Sequence, residues 1–469
     1  MPVLLWSDAL IWLLVSAGIA LGGAAWRDPL ARAAWRRVGA SRPGMAAATV
    51  LAAFVAVGLA DSLHYRPRLE DAGPGKPAAY AVEVLSVLDA LAAPLRLSSE
   101  KTYSAPLATR AYAKETMEIR GADGRVRTLR DFPRLKHGGA HLGNDEAGRD
   151  GDVLKKVLAA VALAAALFAA LAGGAAHVLA RRSGRRFGQA WRALWKGETG
   201  FAWNAALAAA GVLLLALLPI LALCGDYHVF GTDKVGQVVF YQILKSVRTA
   251  LVIGSVTTLV TLPVAIILGT LAGYFRGWAD DAIQYLYTTL SSIPGVLLIA
   301  AAVLMMQVVI DTHPQWFATA AERADLRLLA LCFILGLTSW TSLCRLLRGE
   351  TLKLRELEYI QAAQAFGVAD LAILRRHVLP NLMHIVIVVL VMDFSGLVLA
   401  EAVLSYVGIG VDPTMISFGT MINNARMELS REPAVWWSLA SAFVFMFALV
   451  LAANLLADAV RDAFDPRMG

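Results

Sequence analysis

The sequence predicts an all-α polytopic membrane protein. Three observations lead there. Of its 469 residues 58% are hydrophobic and only 17% charged, where soluble domains carry about 25% charged residues. The mean hydropathy is +0.59. Apolar runs of about twenty residues, the length a helix needs to cross the hydrocarbon core, recur from one end of the chain to the other. These figures exclude a water-soluble enzyme. The net charge of +7 belongs to loops, since basic residues gather on one side of a membrane protein, and no basic surface interleaved with aromatics points to nucleic acid. Cys224, Cys332 and Cys344 lack the close pairing of a metal or redox site and read as small buried hydrophobes.

In chain order the candidate spans are residues 3–25, 45–63, 157–179, 202–224, 251–274, 293–310, 326–344, 383–411 and 436–457. Helices are the expected form because lipid offers no partner for an unpaired backbone group. The first run is longer than a signal-peptide core and has Arg27 after it instead of before it, so it is expected to be retained. Three loops carry most of the short-loop basic charge: Arg27 to Arg42, Arg181 to Lys196, and Arg345 to Arg376. Alternating nine spans puts all three on one side. The positive-inside rule then places the N-terminus outside and the C-terminus in the cytoplasm, with Lys155 and Lys156 weakly opposed.

Residues 64–152 then form an extracytoplasmic insert. Within it Asp123-Gly124, between runs containing Ile119 and Val126, signals a hairpin with a tight turn. Asp8 and Asp61, near span ends, are expected to be solvated at the interface.

One pattern occurs twice. His141, Gly143, Asp145 and Gly148 match His228, Gly231, Asp233 and Gly236 as His, Gly-x-Asp, Gly, each copy ahead of a spanning helix, and Asp150 of the first copy has Val238 at its place in the second. Glycine permits the turns and aspartate accepts backbone amides at the helix start, which suffices as an explanation. His137, His141 and Asp145 are also chemically able to ligate a metal, although nothing in the sequence fixes their geometry, and no metal is expected.

Between the seventh and eighth spans lies Glu358-Tyr359-Ile-Gln361-Ala362-Ala363-Gln-Ala-Phe366-Gly367, followed by Asp370 and, after a second short run, Pro380. The spacing predicts helix, turn, helix. Gly367 suits the left-handed position past a helix end, Asp370 caps the second helix, and Pro380 marks the boundary of the next span. A helix this short needs a partner surface to be stable.

This segment resembles the cytoplasmic coupling loop of bacterial ABC importer permeases, matching at Gln361-Ala362-Ala363, Gly367 and Val378-Leu379-Pro380, with Gln361 where the family usually has an acid and Glu358 one turn earlier. Residues 228–238, 272–278, 401–410 and 454–467 are similar to the C subunit of the dipeptide and oligopeptide permeases. The resemblance implies a six-helix type I importer core over 201–469, with coupling loop 346–382. Before it come three extra spans and the insert: 1–63, 64–152, and 153–200 with its basic loop. It further implies a second, B-type permease subunit, two cytoplasmic ATP-binding subunits, a periplasmic substrate-binding protein, and residence in the bacterial inner membrane.

No Gly-x-x-x-x-Gly-Lys-Ser/Thr phosphate loop is present, and Gly73-Pro-Gly-Lys-Pro77 is too short, so the chain is not expected to be an enzyme. ATP and Mg are expected to be bound by a partner ATPase, with no cofactor on this chain. Asp393 and Glu401, eight residues apart in one span, are candidates to line a translocation path. Structural pairing of either carboxylate is the alternative. The expected substrates are di- or oligopeptides, with nickel or glutathione as alternatives. A proton-coupled carrier or a non-transporting scaffold would have no use for a coupling loop.

Overall fold

The computed structural model describes residues 1–68, 80–120, 126–143, 148–317 and 319–464. In chain order the helices are α1 (Trp6–Arg27), α2 (Pro29–Ala40), α3 (Arg42–Asp61), α4 (Val87–Leu91), α5 (Ala93–Leu97), α6 (Arg149–Ser183), α7 (Phe187–Lys196), α8 (Trp203–Leu223) and α9 (Val239–Phe275). They continue as α10 (Gly277–Ser292), α11 (Gly295–Thr312), α12 (Ala320–Arg355), α13 (Glu358–Ala365), α14 (Asp370–Ile373), α15 (Leu379–Val407), α16 (Phe418–Arg426) and α17 (Trp437–Phe464). Among the described residues nine helical stretches are long and apolar enough to cross a membrane: α1, α3, α6, α8, α9, α11, α12, α14 running through into α15, and α17. Each overlaps one of the nine apolar runs. Amphipathic α2, α7, α10 and α16 fall outside that count.

The chain divides into two compact units. The first contains residues 1–3, 39–249 and 416–452. Here α8 packs between α3 and α6, and a Cβ at Gly211 would lie 2.9 Å from the Phe168 ring, so glycine permits the close approach of α8 to α6. Strands β1 (Pro2–Val3), β2 (His64–Tyr65) and β3 (Leu85–Ser86) form a small antiparallel sheet. Strands β4 (Glu115–Arg120) and β5 (Val126–Asp131) pair from Glu115↔Asp131 to Arg120↔Val126. The tight turn expected at Asp123-Gly124 lies outside the described residues.

Asp61 departs from expectation. It is buried, accepts from Ser86 Oγ at 2.6 Å, and pairs with Lys245 Nζ of α9 at 2.6 Å. Asp89 takes the same ammonium at 3.1 Å and the Tyr241 hydroxyl at 2.7 Å. The lysine ammonium, with the Ser86 and Tyr241 hydroxyls, supplies donors to both carboxylates, the condition under which buried charge is tolerated.

The second unit contains residues 4–38, 250–415 and 453–469. Close approach of α9 to α12 is set by small residues: a Cβ at Gly269 would lie 2.8 Å from the Cys344 carbonyl oxygen, and one at Gly273 2.6 Å from Thr351 Cβ. Asp8 is also not solvated. It is fully buried in α1, beside Ser7, whose amide donates to Asp325 of α12 at 3.1 Å.

Candidate coupling site

The site forms where α12 leaves its apolar stretch. α12 ends at Arg355 with Glu356 as its cap, Leu357 takes an extended conformation, and α13 begins. Gly367 has φ +74°, its amide donates to the Gln364 carbonyl, and the Val368 amide reaches back to Ala363 at 3.1 Å. This left-handed closure satisfies carbonyls that the end of α13 would otherwise leave unpaired.

Two expectations are corrected here. Ala369, not Asp370, occupies the cap of α14, and no side chain caps it. The Asp370 carboxylate instead accepts the Tyr274 hydroxyl at 2.8 Å, and Gln364 Nε2 donates to the same Tyr274 oxygen at 3.1 Å. Pro380 does not break the chain into loop and span: it lies at the start of α15, in a helical stretch that runs on from α14. A π-helical turn over Leu374–Val378 joins α14 to α15 without interruption.

The loop has two unlike surfaces. Ile360, Ile373, Leu374 and Val378 are buried in one cluster with Tyr274, Tyr287, Trp340, Leu343, Leu347, Leu382 and Val386, which belong to α9, α10, α12 and α15. On the other surface Phe366 is 87% exposed and Leu371 76%, with Leu357, Tyr359 and Val368 also exposed. Apolar groups collected in this way mark a contact with a protein or with the membrane. Ala362 is exposed between them and Ala363 half-buried, so a partner backbone can approach closely. Glu358 and Gln361 are exposed, Gln361 Nε2 donates to the Glu356 carbonyl at 3.2 Å, and Tyr359 Oη accepts from Asn381 Nδ2 at 3.2 Å.

Ion pairs brace the same end of the unit. Arg348 of α12 grips Asp280 of α10 with two hydrogen bonds of 2.5 and 2.6 Å. The guanidinium outweighs burial and holds the Asp280 carboxyl below its ordinary range. Arg276 pairs with Glu356.

The two carboxylates of α15 are differently placed. Glu401 is 2% exposed and accepts the Ser405 hydroxyl at 2.6 Å, whereas Asp393 is half-buried.

The repeated motif builds a second constellation, in the first unit. His228 Nε2 donates to Glu100 at 3.0 Å, and the amides of Lys136, His137 and Gly138 converge on the same carboxylate at 2.8, 2.8 and 3.1 Å. Burial pushes the Glu100 carboxyl up, but His228 and the three amides prevail and bring it to about 2. Gly231 and Gly236 have φ +69° and +76°. A Cβ at Gly236 would overlap the Glu100 carbonyl, and one at Gly231 would lie 2.7 Å from the Trp437 indole nitrogen. Asp233 accepts the amides of Val235 and Gln237 at 2.9 and 2.8 Å, organising the approach to α9.

In the other copy His141 Nε2 lies 2.9 Å from Asp152, Arg149 pairs with Asp150 at 2.8 Å beside Gly148, and Asp145 lies outside the described residues. Lys156 pairs with Asp152 and Asp226 at 3.0 and 2.6 Å. Residues that sequence reasoning missed are Glu100, Asp152, Tyr274 and Ile360. Their partners are 36 to 128 positions away for Glu100 and 96 for Tyr274, separations that leave no local signal.

A profile of the family described as "Binding-protein-dependent transport system inner membrane component" matches residues 265–469, which include the whole loop. The chain is similar to the glutathione transport system permease protein GsiD of Pectobacterium atrosepticum, 35% identical over 243 residues that cover 51% of this chain and 73% of the relative. It is similar also to the oligopeptide transport system permease protein OppC of Mycobacterium bovis, 30% identical over 242 residues, 52% of this chain and 77% of the relative. Among solved structures it is similar to the MetNI methionine ABC transporter in inward-facing conformations, at TM-score 0.37 and 16% identity over 48% of this chain and 97% of that one.

Proposed function

This chain belongs to the binding-protein-dependent inner-membrane transport family, as a multi-pass permease subunit of an ABC importer, and from that membership we propose that it carries di- or oligopeptides from periplasm to cytoplasm. In such importers ATP hydrolysis belongs to separate ATPase subunits, and a binding protein delivers the substrate. The reading assigns residues 201–469 to the transport core, with loop 346–382 docking on an ATPase in the cytoplasm, the N-terminus outside and the C-terminus inside. A second, B-type permease subunit and two ATPases, which bind ATP and Mg, complete the assembly.

One observation carries the coupling assignment. The loop is apolar and exposed at Phe366 and Leu371 yet rooted at Ile360, Ile373 and Val378 among four helices. Because that cluster is close-packed, a push on α13 displaces α9, α10, α12 and α15 as a body instead of being absorbed locally. The basic loops support the orientation. The names of the relatives, one a glutathione and one an oligopeptide permease, support a peptide-bond-containing cargo. Asp393, half-buried on α15, is the group we assign to the path, and Glu401 we assign to structure through Ser405.

The test is uptake of labelled di-, tri- and longer peptides, and of glutathione, by cells lacking the chain and complemented with wild type or Gly367→Arg. Peptide uptake restored by wild type alone is the expected result. Unchanged peptide uptake, with the chain still co-purifying with an ATPase, would leave the importer standing and overturn the cargo in favour of glutathione or nickel.

A further inference from the structure

Several basic residues of the insert are matched by acids: Arg96 by Glu83, Lys101 by Glu115, Arg110 by Asp131. The hairpin formed by the end of α6 and α7 is the opposite case. Four arginines between 181 and 186, with Arg192 and Lys196, face one acid, Glu198, between residues 181 and 203. All six cations are exposed, and among the described residues none is in an ion pair.

Geometry puts these cations at a defined level. Just past the far end of α8, Asp226 pairs with Lys156 of α6 at 2.6 Å, and at the near end Leu207 shares a cluster with Ala172 and Ala176. With the two helices side by side, α6 runs beyond the point where the apolar stretch of α8 begins. Gly184, at φ +64°, ends α6, and α7 folds back so that Leu194 packs on Ala172 and Ala176 and Trp195 on Phe168.

Exposed Trp195 and Trp203, the amphipathic aromatics typical of the bilayer boundary, stand among the cations beside exposed Phe187. Gly197, at φ +74°, brings in a further arginine that forms no ion pair among the described residues: a Cβ there would lie 3.7 Å from Arg42 Nη2 and 3.3 Å from Asn204 Nδ2.

We propose that this hairpin, together with Arg42, binds anionic phospholipid headgroups at the membrane boundary where α8 begins. Charge complementarity selects the occupant: an excess of unpaired cations, flanked by boundary aromatics on an element continuous with membrane-crossing helices, matches a phosphate-bearing lipid surface. Binding would anchor the appended spans, and it requires nothing of the coupling loop.

The experiment is native mass spectrometry of the full chain with equimolar phosphatidylglycerol and phosphatidylcholine. Wild type is expected to favour phosphatidylglycerol at least about fivefold, since each basic residue near an anionic surface is worth roughly a factor of five. The variant Arg185→Gln, Arg186→Gln, Arg192→Gln, Lys196→Gln is expected to fall below about twofold, while replacing the three arginines by lysine keeps the preference. A wild-type ratio near one, or full preference in the glutamine variant, overturns the proposal. The wild-type ratio decides even if the variants fail to fold, and transport enters neither arm.

Discussion

Tyr274, near the end of α9, donates its hydroxyl hydrogen bond to Asp370 in the first turn of α14 across 2.8 Å, and Gln364 of α13 donates to the same oxygen. One phenol thus ties both helices of the coupling loop to a membrane-crossing helix. Tyr274→Phe keeps the packing and removes both bonds. We expect a loss of about 1–3 kcal/mol in loop stability and uptake reduced severalfold with unchanged expression, checked by transport assay beside a membrane blot.

The two faces of α13 should respond differently. Ile360 is fully buried, so Ile360→Ala should cost about 2–5 kcal/mol and lower the melting temperature of the detergent-solubilised protein. Phe366 is almost fully exposed, so Phe366→Ala should change stability by less than about 0.5 kcal/mol while co-purification of the ATPase is lost. An equal drop in stability for both would contradict a docking face.

Gly367 sits at φ +74° with open space around the position of a Cβ. Gly367→Arg therefore meets no clash within the chain, and its cost is the left-handed backbone, about 1–2 kcal/mol, plus obstruction of the docking surface. Normal insertion with uptake abolished is the expected outcome; normal uptake by a well-expressed variant would sink the coupling assignment.

The insert should be acid-sensitive. The Glu100 carboxyl falls from 4.5 to about 2 on folding. For Asp89 burial acts upward, but Lys245, the Ser86 amide and Tyr241 together prevail and also hold it low. A depressed acid contributes stability above its unfolded value and loses it as pH falls through the folded one. Proteolysis of the insert should thus accelerate by at least about tenfold between pH 5 and pH 2. Glu100→Gln should be cut faster than wild type at neutral pH and show a smaller rise in acid.

What was legible beforehand was whatever depends on local composition. Each of the nine apolar runs became a membrane-length helix among the described residues, because lipid forces any such run to pair its own backbone. Gly367 was legible because only a residue without Cβ takes positive φ freely at a helix end. The expected cap at Asp370 was wrong because the chain next to it could not reveal that Tyr274, 96 positions away, would claim the carboxylate. Asp8 and Asp61 look like solvated span ends in sequence, yet folding buries both, Asp61 in an ion pair with Lys245, 184 positions distant.

By itself, then, the sequence determined the membrane class, the membrane-length helices found among the described residues and the place of the loop, all consequences of hydropathy and backbone preference within about twenty residues. Only the tertiary structure decided which face of that loop is rooted and which is bare, and which buried charges find partners. Those outcomes depend on which side chains from distant helices arrive within a few ångströms of one another, and periodicity along one strand of sequence carries no record of that.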